Sequence, residues 1–268
     1  MYGTKCNVNY GFDNDLFHQE VVPRIRQAFK NFCEPLHAYD EIIMSEQPFL
    51  DKYKGASILL LGGGGSTQRW LNGGPDLTQY DFIWSLNNFF KNDFIRENVH
   101  VDLFTVGPGV NLADEQLNWY LQKHQTVAAF ELHQKWGRSF RNSETGQMPA
   151  ELWEEADRFY DNANKCVFQT KFYSQLGGGV RLIIYGAHLG IRSIHFTGFD
   201  GPAAIKSGDH AFESGKTAFP GAVQHLGQAQ KELFFSIQYQ VFWKYIANLF
   251  PTLTIKDLTG NPLHARLN

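Results

Sequence analysis

Four consecutive glycines, Gly62 to Gly65, are followed by Ser66 and Thr67. Without Cβ atoms such a turn lets main-chain N–H groups approach an anion, and a helix starting at its end adds the positive pole of its dipole. That is phosphate-holding chemistry. The run is not a P-loop, because no Lys-Ser/Thr pair ends it, and it is not a clear dinucleotide fingerprint, because no acidic residue closes the next apolar run: Asp81 starts it and Asn87 ends it. A tight structural turn is the plainer reading of the same residues. Asn87 and Asn88 carry amides able to donate to and accept from a sugar hydroxyl or a base edge, or simply to shape a turn. Gly177 and Gly178, with Gly179, offer a second close backbone approach at a helix start, or a helix-packing contact. Asp200 stands at a strand's end, where ligand-holding carboxylates collect and where turn caps also occur. The loop beyond it holds His210, Glu213 and Lys216, with His225 opening the next helix. Imidazole, with an unperturbed pKa of about 6.5, suits proton transfer from a hydroxyl near neutral pH. Neither an HExxH motif nor a paired Cys/His set points to zinc.

These residues need a scaffold that brings strand ends together. Ser57 to Leu61 is a short aliphatic run bounded by glycines, the pattern of a buried parallel strand. Further strands are predicted at Asp81 to Leu86, Val101 to Val106, Thr126 to Glu131, Ser193 to Thr197 and Thr252 to Ile255. Helices are predicted at Asp13 to Cys33, Leu112 to Gln122, Ala150 to Tyr160, Gly177 to Leu189 and Gln224 to Leu249. Strands alternating with helices imply an α/β fold, a Rossmann-like, mainly parallel sheet flanked by helices, whose ligands gather beyond the carboxyl ends of the strands. The expected organisation is one domain over 1–268, with a leading helical extension over 1–50 and a lid-like insertion over 132–170.

Hydrophobic residues at 43% and charged residues at 19% exclude a disordered chain. The net charge of −3, with Lys and Arg scattered, excludes a polyanion-binding surface, so no nucleic acid polymer is expected as a partner. Cys6, Cys33 and Cys166 lack paired spacing, which fits a reducing cytoplasm. No run reaches the roughly 20 apolar residues of a membrane span, so the expected location is cytoplasmic, at most peripheral at the inner face of the membrane. The aromatic stretch Phe234, Phe235, Tyr239, Phe242, Trp243 and Tyr245 fits either a thick core or a homo-oligomer contact.

The order of these motifs, from the glycine turn through Asn87, the Gly177 helix start, Leu189-Gly190 and Thr197-Gly198-Phe199-Asp200, resembles the bacterial sialyltransferases of glycosyltransferase family 42. It also resembles the related domain of motility-associated-factor glycosyltransferases and archaeal hydroxymethyldihydropterin pyrophosphokinases. The similarity spans Ile58 to Leu263. It implies an inverting, metal-independent glycosyltransferase that moves a sugar from a nucleotide-sugar, CMP-sugar favoured, to a glycan hydroxyl. By the resemblance His225 is the general base, His210, in His210-Ala211-Phe212-Glu213, donates to the departing phosphate, and Asn87, Gly177 and Gly178 hold the nucleoside. The chain departs from the family pattern at Gly63-Gly64-Gly65-Ser66 and at Gly201-Pro202.

Two other functions compete. Under the pyrophosphokinase reading Asp200 and Glu213 would hold Mg²⁺ against ATP. A nucleotide- or glycan-binding module that kept the fold and lost activity is the third. Sensitivity to EDTA separates the first two, and binding without turnover marks the last.

Overall fold

The computed structural model describes residues 48–106, 110–111, 114–131, 165–168, 176–201, 210–213, 239, 242–243 and 246–260. Seven strands form one sheet: β1 (Ser57–Leu61), β2 (Phe82–Leu86), β3 (Leu103–Val106), β4 (Val127–Glu131), β5 (Lys165–Phe168), β6 (Ser193–Thr197) and β7 (Thr254–Asp257). Their order is β5-β4-β3-β2-β1-β6-β7, and all six pairings are parallel. This is the expected α/β, Rossmann-like architecture. Among the described residues, helices α1 (Gly65–Asn72), α2 (Asp93–Asn98), α3 (Glu115–His124) and α4 (Gly178–His188) lie between these strands.

The strands alternate between two covered faces, as a parallel sheet requires. Ile58, Leu60 and Trp84 join Tyr53 and the α4 residues Leu182, Ile183 and Tyr185 on one side. Leu59, Leu61 and Ile83 join Leu71, Phe89, Ile95 and Tyr120 on the other. Two carboxylates brace the amino ends of the strands. Asp81 Oδ2 accepts from Ser57 N, at the start of β1, at 2.7 Å, and Asp102 Oδ2 accepts from Ile83 N, near the start of β2, at 2.8 Å, satisfying main-chain donors there. Asp81 therefore works at the edge opposite to the one a dinucleotide ribose would occupy.

Three expectations shift. Lys165–Phe168, placed within the 132–170 insertion, is the edge strand β5, paired with β4 from Ala128↔Lys165 to Glu131↔Phe168. Parallel neighbours cannot be joined by a tight turn, so β4 and β5 are not the two arms of a hairpin. The 1–50 boundary moves as well, because a 3-10 turn over Pro48–Tyr53 sends Leu50 and Tyr53 into the core. Third, α3 begins at Glu115 rather than Leu112, because the Asp114 carboxylate accepts from Gln116 N and Leu117 N and so fixes the start. The helices expected at 13–33 and 150–160 lie outside the described residues, as does most of 224–249. The described part of that last stretch, Tyr239, Phe242 and Ile246, is helical and buried in the core, with Trp243 packed against it. No helix among the described residues is long and apolar enough to cross a membrane.

His188 ends α4 and packs edge-to-face on Phe250, with ring centroids 4.7 Å apart. Burial lowers its pKa from 6.5 to about 4. The folded protein thus resists protonating a ring that the unfolded chain protonates freely. Its contribution to stability is intact above pH 6.5 and lost as pH falls towards 4. Chemical denaturation at pH 7 and pH 5 should show native stability falling by about 1–2 kcal/mol more than that of His188→Phe. Equal losses in the two proteins would remove His188 from the acid response.

Candidate functional site

The chain order places β2 on one side of β1 and β6 on the other, so the direction of winding reverses between β1 and β6. Crevices open at the carboxyl ends of such strand pairs. Here the two loops that leave β1 and β6 are stitched together. Gly62 N donates to Thr197 O at 2.9 Å, and Gly64 N to Gly198 O at 2.9 Å. Thr67 Oγ1 donates to Gly62 O at 2.7 Å and lies 2.8 Å from Thr197 Oγ1. Asp200 Oδ2 accepts from Ser66 N at 2.9 Å, its Oδ1 accepts from Ser66 Oγ, and Ser66 Oγ accepts from Gly198 N at 3.0 Å.

The anion at the start of α1 is therefore the protein's own. Asp200, 7% exposed, sits where the helix dipole favours negative charge, and Gly64 at the N-cap supplies no side chain to do so. The reading of Gly62, Gly64 and Ser66 as amides offered to an external phosphate is corrected accordingly: each is bonded to a protein acceptor. Asp200 likewise turns both carboxylate oxygens onto Ser66 at the start of α1.

The glycines have a steric reason instead. A Cβ on Gly62 would stand 2.6 Å from the Phe199 ring and from Thr197 O, and one on Gly64 would stand 2.5 Å from Asp200 Oδ2. Gly179 has the same constraint, with the Phe199 ring 2.3 Å from its ideal Cβ. Phe199 thus fills the space between the β1 turn and the start of α4, and Tyr239 Oη donates to Phe199 O at 3.1 Å. Burial, with the negative charges of Asp200 and Asp257, raises the Tyr239 pKa and keeps it a neutral donor. Among the described residues, a Cβ at Gly177 would meet nothing within 4 Å, and one at Gly178 only Arg181 Nη2 at 3.9 Å. Gly177 caps α4 with no side-chain hydrogen bond.

His210 is the sequence-predicted residue that the fold brings directly to the turn. It forms an antiparallel bridge with Gly64, and Ala211 N donates to Gly63 O at 2.8 Å. Its Nδ1 accepts from Phe212 N at 3.2 Å and from Glu213 N at 3.1 Å. With Nδ1 an acceptor, the neutral ring carries its proton on Nε2. That nitrogen lies against Gly63, 2.6 Å from where a Cβ would stand. The segment is anchored twice more. Phe212 is buried in the core beside α1, and Asn92 Nδ2 donates to Ala211 O at 2.8 Å and to Gln68 Oε1 at 2.6 Å. Asn92 Oδ1 meanwhile caps α2 through Ile95 N.

Asn87, at the end of β2, is exposed, with a left-handed φ of 45° and its N–H on Thr105 O, while its neighbour Asn88 is 2% exposed and turned inward. Glu213 pairs with Lys91 at 3.5 Å. His225 lies outside the described residues. Sequence reading missed Asn92, the hydroxyl link between Thr67 and Thr197, and the spacer role of Phe199. The Asn92-Asp93 pair before a helical run was the available sign of a cap. Among the described residues no three His, Cys, Asp or Glu side chains converge as a metal cage. The chain matches no protein-family model, and no curated protein matches it at a significant level.

Two substitutions separate steric glycines from open ones. Gly62→Ala should destabilise the fold by about 1–3 kcal/mol, as overpacking against backbone does. Gly178→Ala, at a helix start with room for a methyl group, should change stability by less than about 0.5 kcal/mol. Denaturant midpoints read both, and equal effects would refute the assignment.

Proposed function

We propose that this chain is an inverting glycosyltransferase of sialyltransferase-like type, binding a nucleotide-sugar over the carboxyl edge of β1, β2 and β6, with CMP-sugar as the favoured donor and a glycan hydroxyl as acceptor. The observation that carries the reading is His210, whose ring is held at the glycine turn as an Nε2–H donor by two main-chain amides. A positioned donor is what a departing phosphate oxygen requires. In the proposed reaction the acceptor oxygen forms its bond to the anomeric carbon as the bond from that carbon to the phosphate breaks. The acceptor proton passes to His225, and His210 donates to the phosphate leaving with the nucleotide. Positioning and proton transfer supply the acceleration.

Since Asp200 is bonded to Ser66, the phosphate is assigned to His210 and to the start of α4 at Gly177 and Gly178, where no described residue crowds the backbone. Asn87, exposed at the end of β2, is assigned to the nucleoside. The pyrophosphokinase reading needs Asp200 and Glu213 to face a shared Mg²⁺. In the structure one is bonded to Ser66 and the other paired with Lys91, which favours the metal-independent transfer. The proposed setting is the cytoplasm, with membrane-face association and homo-oligomerisation as further proposals.

Thermal-shift measurements with CMP, CDP, UDP, GDP and ATP, each with and without Mg²⁺, should show stabilisation by a cytidine nucleotide that does not depend on the metal. His210→Ala should lower CMP release from a CMP-sugar by about 10²–10⁴-fold, and His225→Ala should do the same while keeping donor affinity. A melting temperature unmoved by every nucleotide, or full turnover in His210→Ala, would end this reading.

A further inference from the structure

At the amino edge of the sheet, opposite the glycine turn, two imidazoles face each other. His100 lies just before β3, and His124 ends α3 just before β4. Their Nδ1 atoms are 3.5 Å apart, and the rings stand at 89°. Both rings are oriented by neighbours. His100 Nε2 is 3.5 Å from Asp102 Oδ1. His124 stacks on Tyr120 with centroids 4.3 Å apart, and Tyr120 is itself fixed by donating to Val99 O and accepting from Val101 N.

The separation is informative. A good hydrogen bond from a nitrogen donor spans about 2.7–3.2 Å, so 3.5 Å is long for one imidazole donating to the other. Two nitrogens bound to one metal ion at about 2.0–2.1 Å with a tetrahedral angle stand about 3.3–3.4 Å apart. The pair therefore presents two donors at chelating distance. His100 is largely exposed, with 57% of its side chain accessible, so an ion can reach the gap from solvent.

We propose that His100 and His124 form a bidentate site for a late first-row divalent cation, of the zinc, nickel or copper class that imidazole nitrogens suit. Both rings bind through Nδ1 and keep their single proton on Nε2. Two N–metal bonds form as two waters leave the hydrated ion, and water fills the remaining positions. The Asp102 carboxylate takes the His100 Nε2–H, the outer-shell contact that fixes a ligand's tautomer and raises its basicity. The Lys123 ammonium lies over the Trp119 ring at 4.6 Å, and Lys52 acts electrostatically on Asp102. The ion would tie the segment before β3 to the end of α3, so binding adds to the stability of the fold. This proposal is independent of the transferase reading.

The test uses the whole chain with Zn²⁺ for calorimetry and Cu²⁺ for electron paramagnetic resonance. The native chain should bind one more equivalent of Zn²⁺ than His100→Ala, whose exposed position makes it safe for folding. At this site Zn²⁺ affinity should fall at least tenfold, and the Zn²⁺-induced rise in melting temperature should shrink. Bound Cu²⁺ should show coupling to two imidazole nitrogens in the native chain and to at most one in His100→Ala or His124→Ala. Native-like stoichiometry, affinity and spectra in His100→Ala would assign any metal uptake to the other eight histidines and overturn the proposal.

Discussion

The buried contact between the Asp200 carboxylate and Ser66 is the constraint on which the carboxyl edge of the sheet is built. It joins residues 134 apart in sequence, and both its acceptor oxygens are used on one serine. Hydrogen bonds to a charged group contribute about 1.5–3 kcal/mol each, and a buried carboxylate deprived of them would be strongly unfavourable. The contact therefore sets the distance between the β1 and β6 turns. Every neighbouring feature has to fit that distance: Gly62 and Gly64 because no Cβ fits between the loops, Gly198 because its φ of +74° aims the chain back at Ser66, and Phe199 because its ring fills the remaining gap.

The second tier of the edge is laid over this one. With Gly64 fixed to Gly198, the 210 segment adds to the turn through a single bridge and one carbonyl, and needs side-chain support to stay there. Asn92 supplies it by bonding Ala211 and Gln68 while capping α2, so one buried amide ties together α1, α2 and the His210 segment. The position of the His210 segment is thus a product of contacts from two layers, while its own amides at Phe212 and Glu213 orient the ring.

This layering explains what could be read from the sequence. The strands at Ser57 to Leu61 and Ser193 to Thr197 were legible to the residue because glycines bound each short run and break the chain on either side. Their parallel sense followed from the alternation with helices. β5 was hidden because Lys165-Cys166-Val167-Phe168 is four residues long and sits at the edge of a polar stretch, and only its pairing with β4 reveals it. The glycine run was correctly placed at a helix start, yet its local sequence suits an anion from outside and an anion from within equally well. The deciding residue, Asp200, is remote in sequence and announces itself only as an acid at a strand end. His210 was singled out from its neighbourhood, but the choice between its two nitrogens rests on the amides of Phe212 and Glu213, which no residue type encodes.

The same cap bears on what the crevice can accept. An ionised carboxylate facing a phosphate would repel it, and several kcal/mol of like-charge contact would have to be overcome in a poorly hydrated cleft. Asp200 does not present its charge that way. Its two oxygens are turned onto Ser66 at the positive end of α1, so dipole and hydrogen bonds offset the charge locally. In the layer above, the His210 ring is packed with its Nε2 against Gly63. The negative charge that the start of α1 favours is thus supplied from within the fold, by a residue remote in sequence.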